Sequence, residues 1–303
     1  MNPKNNPPQP VEMILTLPYG KIAAKAWGDP HNLPTLGLHG WLDNAATFDL
    51  LAPLLPEIYL ISIDLPGHGF SDHKPLGHFF HIIDYVVNVL DVADHLGWSR
   101  FAILGHSFGS AIGSLLAGTF PEKIVGLGLI DALGPLTTEP EASPGQLRSA
   151  LTEKRKISNK IAEYPTVLDA AKTRAKVGRL LLRSAEILAL RGTKKTDNNT
   201  VTWCTDRRLL LPACSQLTEA QAEVFLSEVT APSLLIRAEP GFPFDQKLVQ
   251  WRLNASKTLE LVQLKGGHHI HLDEPEKTAK VLRPFFQRLA HQHAALSKNQ
   301  ENL

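Results

Sequence analysis

Short apolar runs recur along the first 130 residues of the chain, separated by loops and by one long amphipathic stretch. Each run is a few residues long and bounded by turn residues, which predicts a strand. From His78 to Leu96 the apolar residues recur at helical spacing, which predicts a helix that ends at Gly97. We expect strands at Glu12–Leu17, Lys21–Trp27, Leu33–Leu38, Tyr59–Ile63, Phe101–Leu104 and Ile124–Ile130.

The order of these elements predicts how the sheet is built. Pro18-Tyr19-Gly20 separates the first two strands, and this turn chemistry predicts an antiparallel hairpin at one edge. The later strands alternate with helices at the spacing of βαβ units, which favours a parallel sheet with helices on both faces. Asn44 is a candidate cap for a helix through Phe48 to Leu55. We therefore expect an α/β protein with a doubly wound, mostly parallel sheet.

The alternation stops after Asp131 and resumes near residue 219. The segment between them is helical in pattern and punctuated by prolines and by a polar stretch at Thr193–Thr200. We interpret it as an inserted helical cap at 134–218, with the core at 11–133 and 219–296 and flexible tails at 1–10 and 297–303. In the second part of the core we expect helices at Glu219–Glu228, Asp245–Leu253 and Glu274–Ala294, and strands at Ser233–Arg237 and Leu259–Leu264.

Charge sets this cap apart without suggesting a charged partner. The chain has 31 Lys and Arg against 30 Asp and Glu, so nothing favours nucleic acid or a membrane surface. From Gly134 to Ala220 there are 15 basic and 9 acidic residues, which supports a separate unit. No apolar run approaches the roughly 20 residues of a membrane span, and the start of the chain lacks the apolar region of a secretory signal. We expect a cytoplasmic protein with Cys204 and Cys214 as free thiols.

The pentapeptide Gly105-His106-Ser107-Phe108-Gly109 is the strongest candidate for chemistry. It follows an apolar run and precedes a stretch of small residues with helical composition. This is the G-x-S-x-G pattern in a strand–turn–helix context, known as a nucleophile elbow. Glycines on either side of the serine avoid collisions at the tight turn, and the helix start directs free N–H groups to the same place. The alternative is a glycine-rich turn without chemistry.

A serine hydroxyl needs a base in contact to act as a nucleophile at neutral pH. His268, His269 and His271 lie in the loop after the last strand, at the sheet edge that the elbow faces. We favour His268, because Gly266-Gly267 before it allows the backbone to turn toward Ser107, and expect His269 and His271 to play supporting or surface roles. The N–H groups of Trp41 and Phe108 are the candidate donors of an oxyanion hole.

Four segments resemble the α/β-hydrolase fold superfamily. They are His39-Gly40-Trp41-Leu42-Asp43, Asp64 to Asp72, the elbow, and Gly267 to Pro275. The amino-acid sequences of the segments Ile22 to Gly28 and Leu38 to Ala45 are similar to those of the serine hydrolase-like proteins, whose natural substrates are poorly defined. The resemblance implies hydrolase activity, Ser107 as nucleophile, His268 as base and no cofactor. It does not imply a particular substrate.

The acidic residue that would hydrogen-bond to the base is not at the position that the superfamily pattern gives it. It usually follows the Ser233–Arg237 strand, where this chain has Gly241. Asp131 ends the strand after the elbow helix and resembles the carboxylate that haloalkane dehalogenases carry there; their nucleophile is an aspartate, so dehalogenation is disfavoured. We favour Asp131 as the acid. Glu239, Asp245 and the absence of a functional acid remain alternatives.

Further residues bear on substrate and metal binding. His39 is a candidate either to support its loop or to contact substrate, and Trp203 in the cap is a candidate substrate contact. Apolar cap stretches that could line a pocket are Leu180–Leu182, Ile187–Leu190 and Leu209–Leu211. His68, Asp72 and His73 lack the ligand spacing of a zinc site, so we expect no catalytic metal.

Together these features predict a serine hydrolase that cleaves small or medium carboxylic esters through an acyl-enzyme. An acyltransferase or a C–C hydrolase on the same site is an alternative, and a catalytically silent hydrolase-like binding protein is another. We expect a monomer or a small homo-oligomer, with a small-molecule ester as its partner.

Overall fold

The computed structural model describes residues 9–156 and 162–301. Within these ranges an eight-stranded sheet forms the centre of the molecule, and a separate two-stranded sheet lies in the inserted segment. The strands are β1 Val11–Leu17, β2 Gly20–Trp27, β3 Leu33–Leu38, β4 Ile58–Ile63, β5 Phe101–His106, β6 Ile124–Ile130, β7 Thr193–Lys195, β8 Val201–Trp203, β9 Ser233–Pro240 and β10 Leu259–Gly266.

The main sheet has the strand order β1-β2-β4-β3-β5-β6-β9-β10. The six strands from β4 to β10 in this order, namely β4, β3, β5, β6, β9 and β10, pair in parallel with one another. β2 is antiparallel to both β1 and β4, and β1 and β2 form the hairpin expected at the edge. The predicted fold class, a doubly wound and mostly parallel sheet, is therefore confirmed. The carboxyl ends of its parallel strands share one edge, where α/β proteins place their sites.

α-Helices cover both faces of the sheet. Their bounds are α1 Ile82–His95, α2 Phe108–Thr119, α3 Ser143–Lys156, α4 Val167–Gly178, α5 Leu182–Gly192, α6 Glu219–Ser227, α7 Gln246–Ala255, α8 Ile270–Asp273 and α9 Pro275–Glu301. Among the described residues, none of the helices combines the length and the apolar character required to cross a bilayer.

The alternation of side chains along each strand divides the core between the two faces. On β5, Ile103 packs with Ile112 of α2 and Val89 of α1, whereas Leu104 packs on the other face with Phe286 of α9. Because successive residues of a strand point to opposite faces, both faces of this central strand are apolar and buried. The sheet is thus a rigid support for the loops at its carboxyl edge.

The segment between β6 and α6 contains α3, α4, α5 and the antiparallel pair β7-β8. Its own small core joins Ala171, Leu180 and Leu188, and Leu272 of α8 packs against them. The polar stretch at Thr193–Thr200, which interrupts the helical pattern, contains β7. The exact boundaries of cap and core stay a prediction.

Two elements near the N-terminus differ from the sequence expectation. Asn44 does cap a helix, accepting from the Ala46 N–H at 3.1 Å, but that helix is a short 3₁₀ turn at Ala45–Phe48, and a second one follows at Ala52–Leu54. Pro53 explains the interruption, since its ring excludes a continuous α-helix through the preceding turn. The helix expected from His78 begins only at Ile82, where the Asp84 carboxylate accepts from the His81 N–H at 3.2 Å.

Candidate active site

Ser107 lies at a sharp turn between β5 and α2, with φ at +51° and ψ at −111°. This conformation is strained for a residue with a side chain. Its neighbours are confined. A Cβ at Gly105 would lie 2.7 Å from the Ser110 nitrogen, and one at Gly109 would lie 2.0 Å from the Leu38 oxygen. Both glycines are therefore required sterically, and the serine side chain is held out at the edge of the sheet.

The structure brings His268 to Ser107. His268 Nε2 lies 2.8 Å from Ser107 Oγ, although 161 residues separate the two in sequence. His268 follows β10, and its carbonyl oxygen accepts from His106 Nε2 at 2.9 Å. His106 directly precedes the serine, so one hydrogen bond ties the elbow to the loop that carries His268.

Asp131 completes a continuous hydrogen-bonded chain. Its Oδ2 lies 2.6 Å from His268 Nδ1, and its carboxylate also accepts from the N–H groups of Ala238 at 2.9 Å and Phe242 at 2.8 Å. The side chain is 1% exposed. Because a carboxylate only accepts, His268 carries its proton on Nδ1, and the lone pair of Nε2 faces the Ser107 hydroxyl. The arrangement can remove a proton from that hydroxyl.

Gly241 occupies the position where the superfamily pattern has its acid, and the structure leaves no space there for a side chain. A Cβ at residue 241 would lie 2.8 Å from each carboxylate oxygen of Asp131, so this position has no room for a side chain. Glu239 is exposed on β9, and Asp245 caps α7, its Oδ1 accepting from the Lys247 N–H at 2.7 Å. Of the three carboxylates considered from the sequence, Asp131 is the one that the structure hydrogen-bonds to His268.

Trp41 and Phe108 border the same cavity as Ser107. Their rings contact each other edge to face, with centroids 4.8 Å apart. Phe108 is the first residue of α2, so its N–H has no partner within that helix and lies at the positive end of the helix dipole. Trp41 follows β3 in a turn closed by the Asp43 N–H, which donates to the Gly40 oxygen at 3.1 Å.

The cavity above Ser107 has a volume of about 400 Å³ and a mainly apolar lining, including the rings of Trp41, Phe79, Phe80, Phe108, Phe242 and Phe244. Arg208 is the charged residue among the lining residues that the structure describes. Its guanidinium is occupied, with Nη2 lying 2.6 Å from Asp206 Oδ2 and 2.5 Å from the Lys74 oxygen. The cavity is therefore suited to uncharged, apolar groups.

Two expected substrate contacts are not found. His39 is completely buried, donates from Nδ1 to the Gly40 oxygen at 2.7 Å and accepts on Nε2 from the Leu65 N–H at 3.0 Å. Burial lowers the pKa of His39 to about 4, so the ring is neutral and supports its loop. Because both ring nitrogens are used inside the protein, the structure favours the alternative in which His39 supports its loop.

Trp203 also lies apart from the cavity. It ends β8, which turns its ring into the small core of the cap, where it packs against the cluster containing Leu180 and Leu188. A Cβ at Gly192 would lie 2.9 Å from this ring. The expected contact of Trp203 with substrate is therefore not found, and of the apolar cap stretches named from the sequence, Leu211 is the residue that reaches the cavity in the described chain.

Sequence reasoning missed a buried ion pair beside the site. Asp43, in the turn after Trp41, is 1% exposed and lies 2.5 Å from Arg174 Nη2 of α4 and 3.2 Å from His269 Nε2. Burial alone would raise the pKa of Asp43, but its interactions with His269 and the Arg174 guanidinium hold it well below its usual value. The His39-Gly40-Trp41-Leu42-Asp43 motif contained Asp43, but nothing in the sequence indicated Arg174, 131 residues away.

The histidines behind His268 are buried together. The ring of His106 lies 4.2 Å from that of His271 and 4.9 Å from that of His269, measured between centroids. His271 Nε2 lies 2.7 Å from Thr47 Oγ1, and burial holds the pKa of His271 well below its usual value. These packed rings therefore support the loop from the side away from the cavity.

Asp43, His106 and His269 present donor atoms within 4.8 Å of one another, and these residues are the candidate metal ligands within the described chain. Arg174 already supplies a cation to the carboxylate, which makes an ion pair the better interpretation of this cluster. His68, named from the sequence, is buried against His39 and Trp41, and Asp72 accepts instead from the Lys21 N–H.

The strand order and the elbow between β5 and α2 define the α/β-hydrolase class. The sequence model of the alpha/beta hydrolase fold family matches residues 36–275, and the chain belongs to this family. Within it, the chain is similar to the serine hydrolase-like protein of Danio rerio, 32% identical over 291 residues, which are 91% of this chain and 88% of the relative. These comparisons confirm the resemblance stated from the sequence motifs.

Two further comparisons agree. Human serine hydrolase-like protein 2 is 32% identical over 305 residues, covering 91% of this chain and 94% of the relative. The solved structure of a hypothetical protein from Pseudomonas aeruginosa PAO1 has 38% sequence identity and a TM-score of 0.86, and the match covers 91% of this chain and 99% of that one. The similarity therefore extends over almost the whole chain.

Proposed function

We propose that this chain is a serine hydrolase that cleaves small or medium, uncharged carboxylic esters. One observation carries the proposal. Ser107 Oγ, His268 and Asp131 form an unbroken hydrogen-bonded chain, with distances of 2.8 Å and 2.6 Å, at the floor of an apolar cavity. The serine hydrolase-like relatives support the reaction class.

In the acylation step Ser107 Oγ attacks the ester carbonyl while His268 Nε2 takes the hydroxyl proton. Asp131 keeps the histidine in the correct tautomer and stabilises the imidazolium that forms. The N–H groups of Trp41 and Phe108 bind the oxyanion. The C–O bond to the alcohol then breaks, and His268 returns the proton to the leaving oxygen.

In the second step water attacks the acyl-enzyme with His268 as the base, and the tetrahedral species collapses to free Ser107 and the carboxylic acid. Each proton and nucleophile in both steps comes from these side chains or from water, so the reaction requires no cofactor. The size and apolar lining of the cavity suit an uncharged acyl group.

A fluorophosphonate probe, which modifies activated serines, tests the nucleophile. We expect the wild-type protein to be labelled and Ser107→Ala to be unlabelled. Ser215→Ala is the matched control, because Ser215 lines the same cavity outside the hydrogen-bonded chain. An unlabelled wild type would contradict the proposal and favour a silent binding protein.

Product analysis with aryl esters of graded acyl length tests the reaction. We expect free carboxylic acid as the product. Transfer of the acyl group to an added alcohol in preference to water would favour the acyltransferase, and absence of turnover over the whole series would contradict ester hydrolysis.

We also propose a cytoplasmic location, supported by Cys204 and Cys214, which are both free. Fractionation of the producing cells tests it, and recovery from the medium would contradict it. The expected monomer or small homo-oligomer stays a prediction for light scattering.

A further inference from the structure

A second cavity, of about 180 Å³, adjoins the one above Ser107. Among the described residues, Ala132, Leu136, Phe242 and Phe244 line both cavities and so form the wall between them. The rings of Phe242 and Phe244 have centroids 4.6 Å apart, and the ring of Phe242 lies 5.2 Å from that of His268. The wall therefore stands directly beside the hydrogen-bonded chain.

One side of the second cavity is apolar and can pack against an apolar tail. Leu133, Leu235, Leu248 and Val249 contribute to its lining. Polar residues also contribute to its lining: Asp131, Thr137, Arg237, Asp245 and Arg252. Arg252 is paired, because its Nε and Nη2 each lie 2.6 Å from a carboxylate oxygen of Glu219. A methylene chain that entered would exchange water for apolar contacts without separating this ion pair.

We propose that Phe244, together with Leu136, sets the acyl-chain length that the site accepts by closing the second cavity off from the first. The proposal rests on the ester hydrolysis proposed above. An acyl chain that fills the first cavity meets this wall, and a longer chain cannot extend further. Removing the wall joins the two spaces and admits longer, uncharged acyl chains.

Phe244 is the informative position in this wall. The Phe242 N–H donates to Asp131, so a change there would disturb the acid directly. Phe244 contacts Phe242 by its ring and lies two residues beyond the N–H that donates to Asp131. Leu136 is 58% exposed, so its replacement tests the same wall with little loss of buried surface.

The experiment measures kcat/KM for p-nitrophenyl esters of even-numbered acids from acetate to palmitate. In Phe244→Ala we expect the acyl chain with the highest kcat/KM to be longer by about two carbons or more. For these longer chains kcat/KM should rise by about fourfold for each methylene newly buried. Leu136→Ala should move the optimum in the same direction. Circular dichroism and thermal unfolding establish that each variant is folded.

Two control variants distinguish the loss of the wall from a general enlargement of the first cavity. Phe79→Ala removes a ring that lines the first cavity alone, so long chains should not gain as they do in Phe244→Ala. In the double variant Phe244→Ala/Leu248→Phe the added ring fills the second cavity, and the optimum should return toward that of the wild type.

An unchanged chain-length profile in both Phe244→Ala and Leu136→Ala overturns the proposal. A second measurement does not depend on turnover: calorimetric binding of 2-alkanones of graded length to Ser107→Ala, with and without Phe244→Ala. Affinity should stop rising at a longer chain in the double variant, and equal limits would also overturn the proposal. An inactive wild type would contradict ester hydrolysis alone, and the binding series would still decide on the wall.

Discussion

Gly241 and the carboxylate of Asp131 occupy one small space between β6 and β9. A Cβ on residue 241 would lie 2.8 Å from both Asp131 oxygens, and the backbone of Gly241 has φ at +46°. The loop that carries the acid in the usual superfamily pattern thus has no side chain at this point, and the acid comes from the neighbouring strand. Although the acid follows a different strand, one carboxylate still lies beside His268 Nδ1, at 2.6 Å.

Replacing Gly241 by alanine should displace Asp131 and strain the backbone. We expect kcat/KM for ester hydrolysis to fall by about 100-fold, because a shift of about 1 Å in a positioned group has that effect. Gly267→Ala is the control, since a Cβ there would meet the Arg179 oxygen only at 3.6 Å. Equal activity of Gly241→Ala and the wild type would contradict the steric argument.

Removing the charge of Asp131 should leave binding intact but lower turnover. In Asp131→Asn the amide can no longer select the tautomer of His268, so we expect kcat to fall by roughly 10⁴-fold. Glu239→Gln should retain the activity of the wild type, because Glu239 is exposed on β9. The reverse result, with Glu239→Gln inactive and Asp131→Asn active, would assign the role of the acid to Glu239.

Arg174→Met should destabilise the protein, because it leaves the buried Asp43 carboxylate without its guanidinium partner. We expect the free energy of unfolding to fall by about 3 kcal/mol, as measured by chemical denaturation. Lys172→Met on the same helix is the control: Lys172 pairs with Asp169 at the surface, so stability should not change measurably.

The double variant Arg174→Met/Asp43→Asn separates the ion pair from a general packing effect. Removing the carboxylate as well should recover part of the lost stability, because no buried charge then remains unpaired. If the stability losses of the two single variants simply add in the double variant, the ion pair is not the cause of the loss in Arg174→Met.

Stability should fall as the pH is lowered below the ordinary pKa of histidine. Burial lowers the pKa of His68 to about 3 and that of His106 to about 4, so these rings are neutral in the folded protein at pH 5. The unfolded chain binds a proton at each, so unfolding takes up protons and acid favours it. The loss begins near pH 6.5 and continues to about pH 4 for His106 and to about pH 3 for His68, at roughly 1.4 kcal/mol per pH unit for each such histidine.

Denaturation curves at pH 7.5, 6 and 5 check this dependence, and His68→Phe should flatten it. A stability that is constant over this range would contradict the burial of neutral histidines. The variant tests the assignment to a particular ring, since His68 packs against His39 and Trp41 and lies outside the hydrogen-bonded chain.

Much of the fold was predictable because its signals are local. Apolar runs of strand length located the strands of the main sheet, and β6 begins and ends where the pattern predicts. The turn residues Pro18-Tyr19-Gly20 predicted the β1-β2 hairpin. The helix expected at Phe48–Leu55 failed for an equally local reason, since Pro53 interrupts it.

The placement of side chains between distant segments was less predictable. His39 was a candidate for substrate contact because it belongs to the motif that contains Trp41, and Trp203 because it lies in the cap. His39 supports its loop instead, and Trp203 packs within the cap. Hydrogen-bond partners and cavity walls depend on which segments meet in space. A single sequence carries no direct record of that.

By itself, the sequence determined the elbow around Ser107, the parallel sheet and the histidine loop after its last strand, because residue type and spacing along the chain specify each of them. Only the tertiary structure decided which carboxylate reaches His268, which cation reaches Asp43 and which rings wall the cavity. Those outcomes depend on distances of a few ångströms between residues more than 100 positions apart, such as the 2.6 Å between His268 and Asp131.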